Sequence, residues 1–160
     1  KRLMNTQHYL ERAEALLAPW SATAGRPAPN RLDVSLGATE LLPAVTALID
    51  AGWGYLVAIT GFDPGLSTGQ FCALYHFAEG AALVTLRVNL PRENPEVPTI
   101  RHLIPLAVMY EQELSEVLGV DVAGGANIGR LFLPDDWPAD VYPLRKDFVM
   151  NPVPPEEGRL

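Results

Sequence analysis

The sequence predicts an α+β fold in two layers: a mixed, mostly antiparallel sheet of about four strands, with helices on one face and an extended C-terminal arm. Three observations predict it. Apolar residues recur three and four apart in three separate segments, the period of an amphipathic helix. Between the second and third segments lie runs rich in strand-forming residues, two of them joined at Glu79-Gly80 in the manner of a β-hairpin. Beyond Gly119 the chain becomes glycine- and then proline-rich, with no period of its own.

Taken in order, residues 3–20 read as the first helix, with Leu10, Ala13, Leu16, Leu17 and Trp20 as its apolar stripe and Pro19 as its end. SATAGRPAPN reads as a loop. Arg31 to Leu36 reads as a short strand with Leu32, Val34 and Leu36 on one side. Ala38 to Asp50 is the second helix; Thr39 or a close neighbour is the candidate cap, and Pro43 is tolerated in the first turn. Gly52 and Gly54 turn the chain into the strand YLVAIT, and GFDPGLSTG reads as a loop. QFCALYHF and ALVTLRVNL are the hairpin strands, and PRENPEVP is a short irregular connector. The second helix, lying between residues 31–36 and 55–60, permits one parallel crossover.

The third helix reads from Thr99 to Leu118, with Thr99 as its cap and Gly119 as its left-handed terminator. Ile100, Leu103, Ile104, Ala107, Leu114, Val117 and Leu118 share a face. Glu111 falls in the same stripe. A buried carboxylate without a partner is costly, so Glu111 is expected to meet a cation, a wet interface or a partner chain. Glu113 and Glu116 fall on other faces, where solvation suffices. Downstream, Arg130, Arg145 and Lys146 are concentrated in an otherwise acidic chain. A hairpin-like return of this tail along the helix would bring guanidinium groups to carboxylates, which their planar fork suits. Trp137 and Tyr142 flank an acidic, proline-rich loop that includes Asp136. They read either as anchors of the tail on its own domain or as interface aromatics.

Composition bounds the function. The chain has 160 residues, 48% of them hydrophobic, enough for one core; residues 1–148 read as one domain and 149–160 as a tail. A net charge of −7 argues against nucleic acid or anionic lipid as the main partner. No run reaches the ~18 consecutive apolar residues of a membrane span, so no direct span is expected, and the first residues carry no signal-peptide pattern. Cys72 is the single cysteine, which leaves no intramolecular disulfide or thiolate cluster and reads as a buried inert thiol. His8, His76 and His102 lack ligand spacing. No dinucleotide fingerprint follows a strand, GGANIG lacks the Lys-Ser/Thr of a phosphate loop, and no nucleophile elbow is present. The residues therefore name no catalytic, cofactor-binding or metal-binding group in this chain.

The order E-Q-E-L-S-E-V-L-G, then R-L-F-L-P-D-D-W, then P-L-R-K-D-F resembles the signature of the 30 kDa subunit of NADH–quinone oxidoreductase, a peripheral-arm protein of respiratory complex I. The family's E-R-E-x-x-[DE] falls on Glu111, Gln112, Glu113 and Glu116, and its G-H-P-D-L-R-R-I on Gly124 to Leu131. Its L-P-x-D-W falls on Leu133 to Trp137, including Asp135 and Asp136, and its P-L-R-K-D on Pro143 to Asp147. Strand, turn at Asp63, hairpin and proline-rich connector follow the same pattern, so the resemblance covers residues 32–148. Gln112, Gly125 and Gly129 depart from the family's Arg, His and Arg. The longer link WPADVYPLRKD is similar instead to the equivalent domain of complex I-related, membrane-bound nickel–iron hydrogenases and formate hydrogenlyase-type complexes.

The resemblance implies a non-catalytic subunit that docks to and orders the large, quinone-site subunit, with the small iron–sulfur subunit nearby. It implies that flavin, iron–sulfur clusters and quinone belong to those partners, and that the chain sits at the cytoplasmic face of the cell membrane through them. Glu111, Glu113, Glu116, Arg130, Asp135, Asp136, Trp137, Arg145, Lys146 and Asp147 are the motif residues expected to serve that interface.

Overall fold

A computed structural model of the chain describes residues 6–126 and 128–149. Its order is α1 (Thr6–Leu17), β1 (Thr23–Ala28), β2 (Arg31–Leu36), α2 (Ala38–Asp50), β3 (Tyr55–Phe62), β4 (Gln70–Glu79), β5 (Ala82–Pro91), β6 (Glu96–Pro98), α3 (Ala107–Leu118) and β7 (Asp121–Ala123). A turn of 3-10 helix at Leu66–Thr68 separates β3 from β4. The architecture is the expected α+β, with a mixed sheet and helices on one face.

The main sheet has five strands in the order β1-β2-β5-β4-β3. The added strand is β1, which forms from the stretch read as a loop and pairs antiparallel with β2. TAGRPA lacks alternation because both sides of this edge strand are exposed. Its proline coincides with a register irregularity between Gly25 and Ala28, a place where an edge tolerates a missing N–H. The hairpin forms as read, but Glu79 pairs with Ala82, so its two-residue turn is Gly80-Ala81. The parallel pair is β2 with β5. The crossover through α2 carries the chain past β5 and β4 to the far edge, where β3 pairs with β4.

Two further expectations are corrected. PRENPEVP contains β6, which pairs in parallel with β7 in a separate two-stranded sheet. The third helix starts at Ala107, eight residues later than its apolar spacing suggested. Pro105 is the reason: it brings no N–H and disfavours helical backbone at Ile104. Thr99 consequently does not cap α3; its hydroxyl accepts from the Arg101 N–H at 3.2 Å, at the turn that precedes the helix, and its own N–H donates to Ala123 O at 3.0 Å. At α2 the N-cap is Gly37, with no side-chain cap bond, and the Thr39 hydroxyl donates to Glu40 instead. Among the described residues α1 begins at Thr6; the start read for it at residue 3 and the tail from residue 150 onward lie outside them.

One cluster of buried side chains joins all three helices to the sheet. Leu32, Val34 and Leu36 of β2, Val84, Leu86 and Val88 of β5, and Phe71, Tyr75 and Phe77 of β4 line the face that meets Leu10, Leu17, Leu41 and Leu48. Burying each such side chain contributes roughly 1.5–3 kcal/mol. Trp53, 1% exposed, plugs the end of α2 and donates its indole N–H to Tyr9 O at 2.9 Å, tying α1 to it. Gly61 sets the position of α3: a Cβ there would strike the side chains of Leu114 and Leu118, so glycine lets the helix lie close on β3.

Candidate functional site: the carboxylate-fastened arm

Two buried carboxylates, Glu116 and Asp63, fasten the chain after α3, and a third, Glu111, fastens the segment before it. Glu111 is 3% exposed and accepts from the Thr99 hydroxyl at 2.7 Å and from the Ile100 N–H at 2.7 Å. Its partners within the chain are uncharged donors and not a cation, the first of the three expected surroundings (a cation, a wet interface or a partner chain). The kink at Pro105 folds residues 99–104 back against α3 and supplies these donors, satisfying the charge without an ion. A cleft of about 200 Å³ beside it is lined by Gln112, Ser115 and Gly125. Both Glu111 oxygens are already engaged.

Glu116 is the larger correction. It is buried, and its carboxylate gathers three successive backbone N–H groups: Leu131 at 2.7 Å, Phe132 at 2.9 Å and Leu133 at 2.8 Å. The Gln112 amide adds a fourth bond at 2.8 Å. Burial alone would raise its pKa, but the N–H groups of Leu133 and Leu131, the Gln112 amide and the Phe132 N–H outweigh it and hold the carboxyl below its ordinary value. Glu116 therefore nails the start of the arm to α3.

Asp63 nails the end. Its side chain is fully enclosed; it accepts from Arg92 Nη1 at 2.6 Å, from the Lys146 N–H at 2.8 Å and from the Gly65 N–H at 2.8 Å. Burial opposes its charge, but the Lys146 N–H, the Arg92 guanidinium and the Gly65 N–H together keep its pKa below the usual carboxylate range. Arg92 also holds Asp147 at 2.8 Å, which makes a chain of three charges from the β3–β4 loop through the end of β5 to the arm. Neither Asp63 nor Arg92 stood out in the sequence as a site residue. The local signal was the Asp-Pro-Gly turn, in which the Gly65 N–H bonds the Asp63 side chain.

Arg145 turns inward between these two nails. Its Nε donates to Leu118 O at 2.7 Å, satisfying a carbonyl at the end of α3. Its guanidinium lies 4.1 Å from the centroid of the Tyr142 ring and 4.9 Å from that of Phe71. Gly119 closes α3 at φ +71°, and a Cβ there would sit 2.5 Å from both Tyr142 and Arg145, so the arm needs glycine for the turn and for its own approach. The Leu144 N–H donates to Val117 O at 3.0 Å.

The other motif residues fall around this frame. Trp137 donates to Val141 O at 2.8 Å and its ring meets Phe148 at 6.2 Å, so it braces the link inside the arm. Arg130 donates to Pro134 O at 2.7 Å. Lys146 contributes its backbone N–H, Asp135 and Asp136 are exposed, and Glu113 is half-buried beside a cavity that Thr60 of β3 and Leu144 of the arm also line. With its backbone fixed, the arm turns large apolar groups outward: Ile128, Leu131, Phe132 and Leu144 are all exposed. Among the described residues no group of three or more His, Cys, Asp or Glu side chains is arranged to hold a metal ion, and no helix is long and apolar enough to cross a membrane. What the arrangement offers is a fastened arm that exposes apolar side chains.

The chain is similar to known proteins in sequence and in fold. The chain is 31% identical over 131 residues to formate hydrogenlyase subunit 5 of Escherichia coli (strain K12), covering 78% of this chain and 23% of that protein. It is 28% identical over 163 residues to hydrogenase-4 component G of the same organism, covering 96% of this chain and 29% of that one. The chain thus spans about a quarter of the length of these curated relatives. In fold it is similar to a chain of the membrane-bound sulfane sulfur reductase, an archaeal respiratory membrane complex, with a TM-score of 0.75 and 23% identity over 88% of this chain and 85% of that one. It is also similar to a trypsin-resistant fragment of Nqo5, with a TM-score of 0.63 and 22% identity over 78% of this chain and 100% of that one. The family described as respiratory-chain NADH dehydrogenase, 30 Kd subunit, matches residues 34–153, which take in α2, β3 to β7, α3 and the fastened arm, and the chain belongs to that family.

Proposed function

We propose that this chain is a non-catalytic structural part of a complex I-like, membrane-bound redox assembly, and that its C-terminal arm docks to and orders the large subunit of that assembly. The observation that carries the reading is the arm itself. Glu116 and Asp63 fix its two ends while Leu131, Phe132 and Leu144 point outward. A segment held in its bound shape before binding loses little conformational entropy on docking, and exposed aromatic and aliphatic groups on such a segment suit the core of a protein interface. In this reading flavin, iron–sulfur clusters and quinone are carried by partner subunits, the small iron–sulfur subunit among them, and the chain is held at the membrane by those partners.

A second reading changes the reaction and keeps the role: the equivalent part of a membrane-bound nickel–iron hydrogenase or formate hydrogenlyase-type complex. The two Escherichia coli relatives and the long Trp137–Pro143 link support it. Purification of the tagged chain from its native membranes in mild detergent, with mass spectrometry and metal analysis, separates the two. Flavin and iron without nickel in the recovered partners favours the NADH–quinone branch, and nickel in the large partner favours the hydrogenase branch. Recovery of the chain alone, under conditions that keep other membrane complexes whole, overturns both.

A further inference from the structure

The three helices all pack on one face of the five-stranded sheet, and the opposite face carries none of the described helices. Register decides what that bare face displays. Ile59 and Gly61 stand opposite Tyr75 and Ala73 and point to the core, so Phe62, opposite Cys72, points away from it, as does Tyr55 opposite Ala78. Tyr55 is 68% exposed, Val57 at the neighbouring bulge 41% and Phe62 38%. On the same face, on the other side of β4, strands β5 and β2 carry Arg87 and Arg31.

Neither arginine has a carboxylate within ion-pair distance among the described residues. Arg87 lies 5.7 Å from the centroid of the Phe62 ring, and its Nη1 donates to Cys72 Sγ at 3.4 Å. Arg31 Nε is buried without a hydrogen-bond partner, and so is Oδ1 of Asp33 on the same strand face. The His76 ring is fixed between Thr60 at 3.1 Å and Thr85 at 3.1 Å. Burial, and then the Arg31 charge, lower its pKa against the opposite pull of Asp33, so it stays neutral at pH 7. Two guanidinium groups against one Asp33 carboxylate leave this face positive in a chain of net charge −7.

We infer that the bare sheet face is a second docking surface, distinct from the arm, which takes a carboxylate-bearing segment of a partner protein: Tyr55, Val57 and Phe62 meet its apolar side, and Arg31 and Arg87 receive its carboxylates. Charge complementarity selects this occupant. A second copy of the chain would bring like-charged faces together. An anionic membrane surface calls for clusters of about four to eight basic residues, and this face has two. Arginine and aromatic side chains on a flat, half-covered patch match protein interfaces.

The test uses the membrane complex purified through the tagged full chain, with benzoylphenylalanine in place of Phe62 and, in a separate preparation, in place of Phe132 in the arm. The expected result is a cross-link from position 62 to an Asp- or Glu-bearing peptide of another subunit. Its yield falls about tenfold or more with Arg31→Glu and Arg87→Glu together, while the cross-link from position 132 keeps its yield. Circular dichroism and melting of the double variant control for folding, and Arg31→Gln with Arg87→Gln takes its place if the reversal unfolds the chain. A cross-link to lipid, to a second copy, or to a peptide indifferent to both sets of arginine variants overturns the inference. Silence at position 62 with a cross-link at 132 overturns it and leaves the arm reading standing; silence at both overturns the two together.

Discussion

Replacing Asp63 with alanine tests how the arm is held. The substitution removes a fully enclosed carboxylate and leaves three donors behind: Arg92 Nη1, the Lys146 N–H and the Gly65 N–H, at 2.6, 2.8 and 2.8 Å. Removing one partner of a buried ion pair costs about 3–5 kcal/mol when the remaining charge is stranded. Arg92 is not stranded, because it keeps Asp147 at 2.8 Å and lies 4.6 Å from the centroid of Phe71. The loss therefore falls mainly on the two backbone N–H groups, each worth about 1–3 kcal/mol when left unpaired. Together with the weakened Arg92 contact, the expected destabilisation is about 3 kcal/mol. Asp63→Asn retains one acceptor oxygen and costs less, about 2 kcal/mol. Urea denaturation of the purified chain reads the total, and amide hydrogen exchange at Lys146 and its neighbours locates it. A change under about 1 kcal/mol, with Lys146 as protected in the variant as in the wild type, would refute the assignment of Asp63 as the anchor of the arm.

Three further outcomes follow from the same geometry. Glu116→Gln turns an amide N–H₂ toward a row of N–H donors, so the chain should lose roughly 2–3 kcal/mol; hydrogen exchange should show the loss at Leu131–Leu133 before it reaches the core strands. Gly119→Ala should cost ~2 kcal/mol from the left-handed turn and the clash with Tyr142, seen as a lowered melting temperature. Asp63 and Glu116 both titrate below their ordinary values in the folded chain. The folded state thus binds fewer protons than the unfolded one, and their contribution is complete above the ordinary carboxylate range. It is lost as pH falls through their lowered folded values. Stability followed against pH should show an acid limb there, shallower in Asp63→Asn; an unchanged limb in that variant would contradict the assignment.

What the sequence disclosed follows a physical division. Elements with one buried and one open side announce themselves: β2 alternates, α2 carries an apolar stripe, and the predicted bounds of both match the structure residue for residue. β1 was hidden because an edge strand open on both sides has no alternation to read. α3 was read too long because the apolar spacing continues through Pro105 while the backbone cannot. At the site, the motif residues of the arm were legible, but their roles were not. Glu116 looked like a solvated helix residue because its partners are backbone N–H groups fifteen to seventeen positions away, and backbone donors carry no side-chain signature. Asp63 and Arg92 lie 29 positions apart, and Asp63 bonds a backbone 83 positions on. Only the folded sheet brings these three segments to one corner.

If the fastened arm is the docking element, as proposed, changing what it exposes while leaving its fastening intact should release the partners. Leu131→Asp with Phe132→Asp replaces two exposed apolar groups and preserves the backbone N–H groups that Glu116 holds. The measurement is the yield of the large and small partner subunits recovered with the tagged chain from native membranes in mild detergent. At least a tenfold loss of both partners relative to wild type is expected, with the melting temperature of the isolated variant unchanged. Full recovery of both partners by the variant would contradict it.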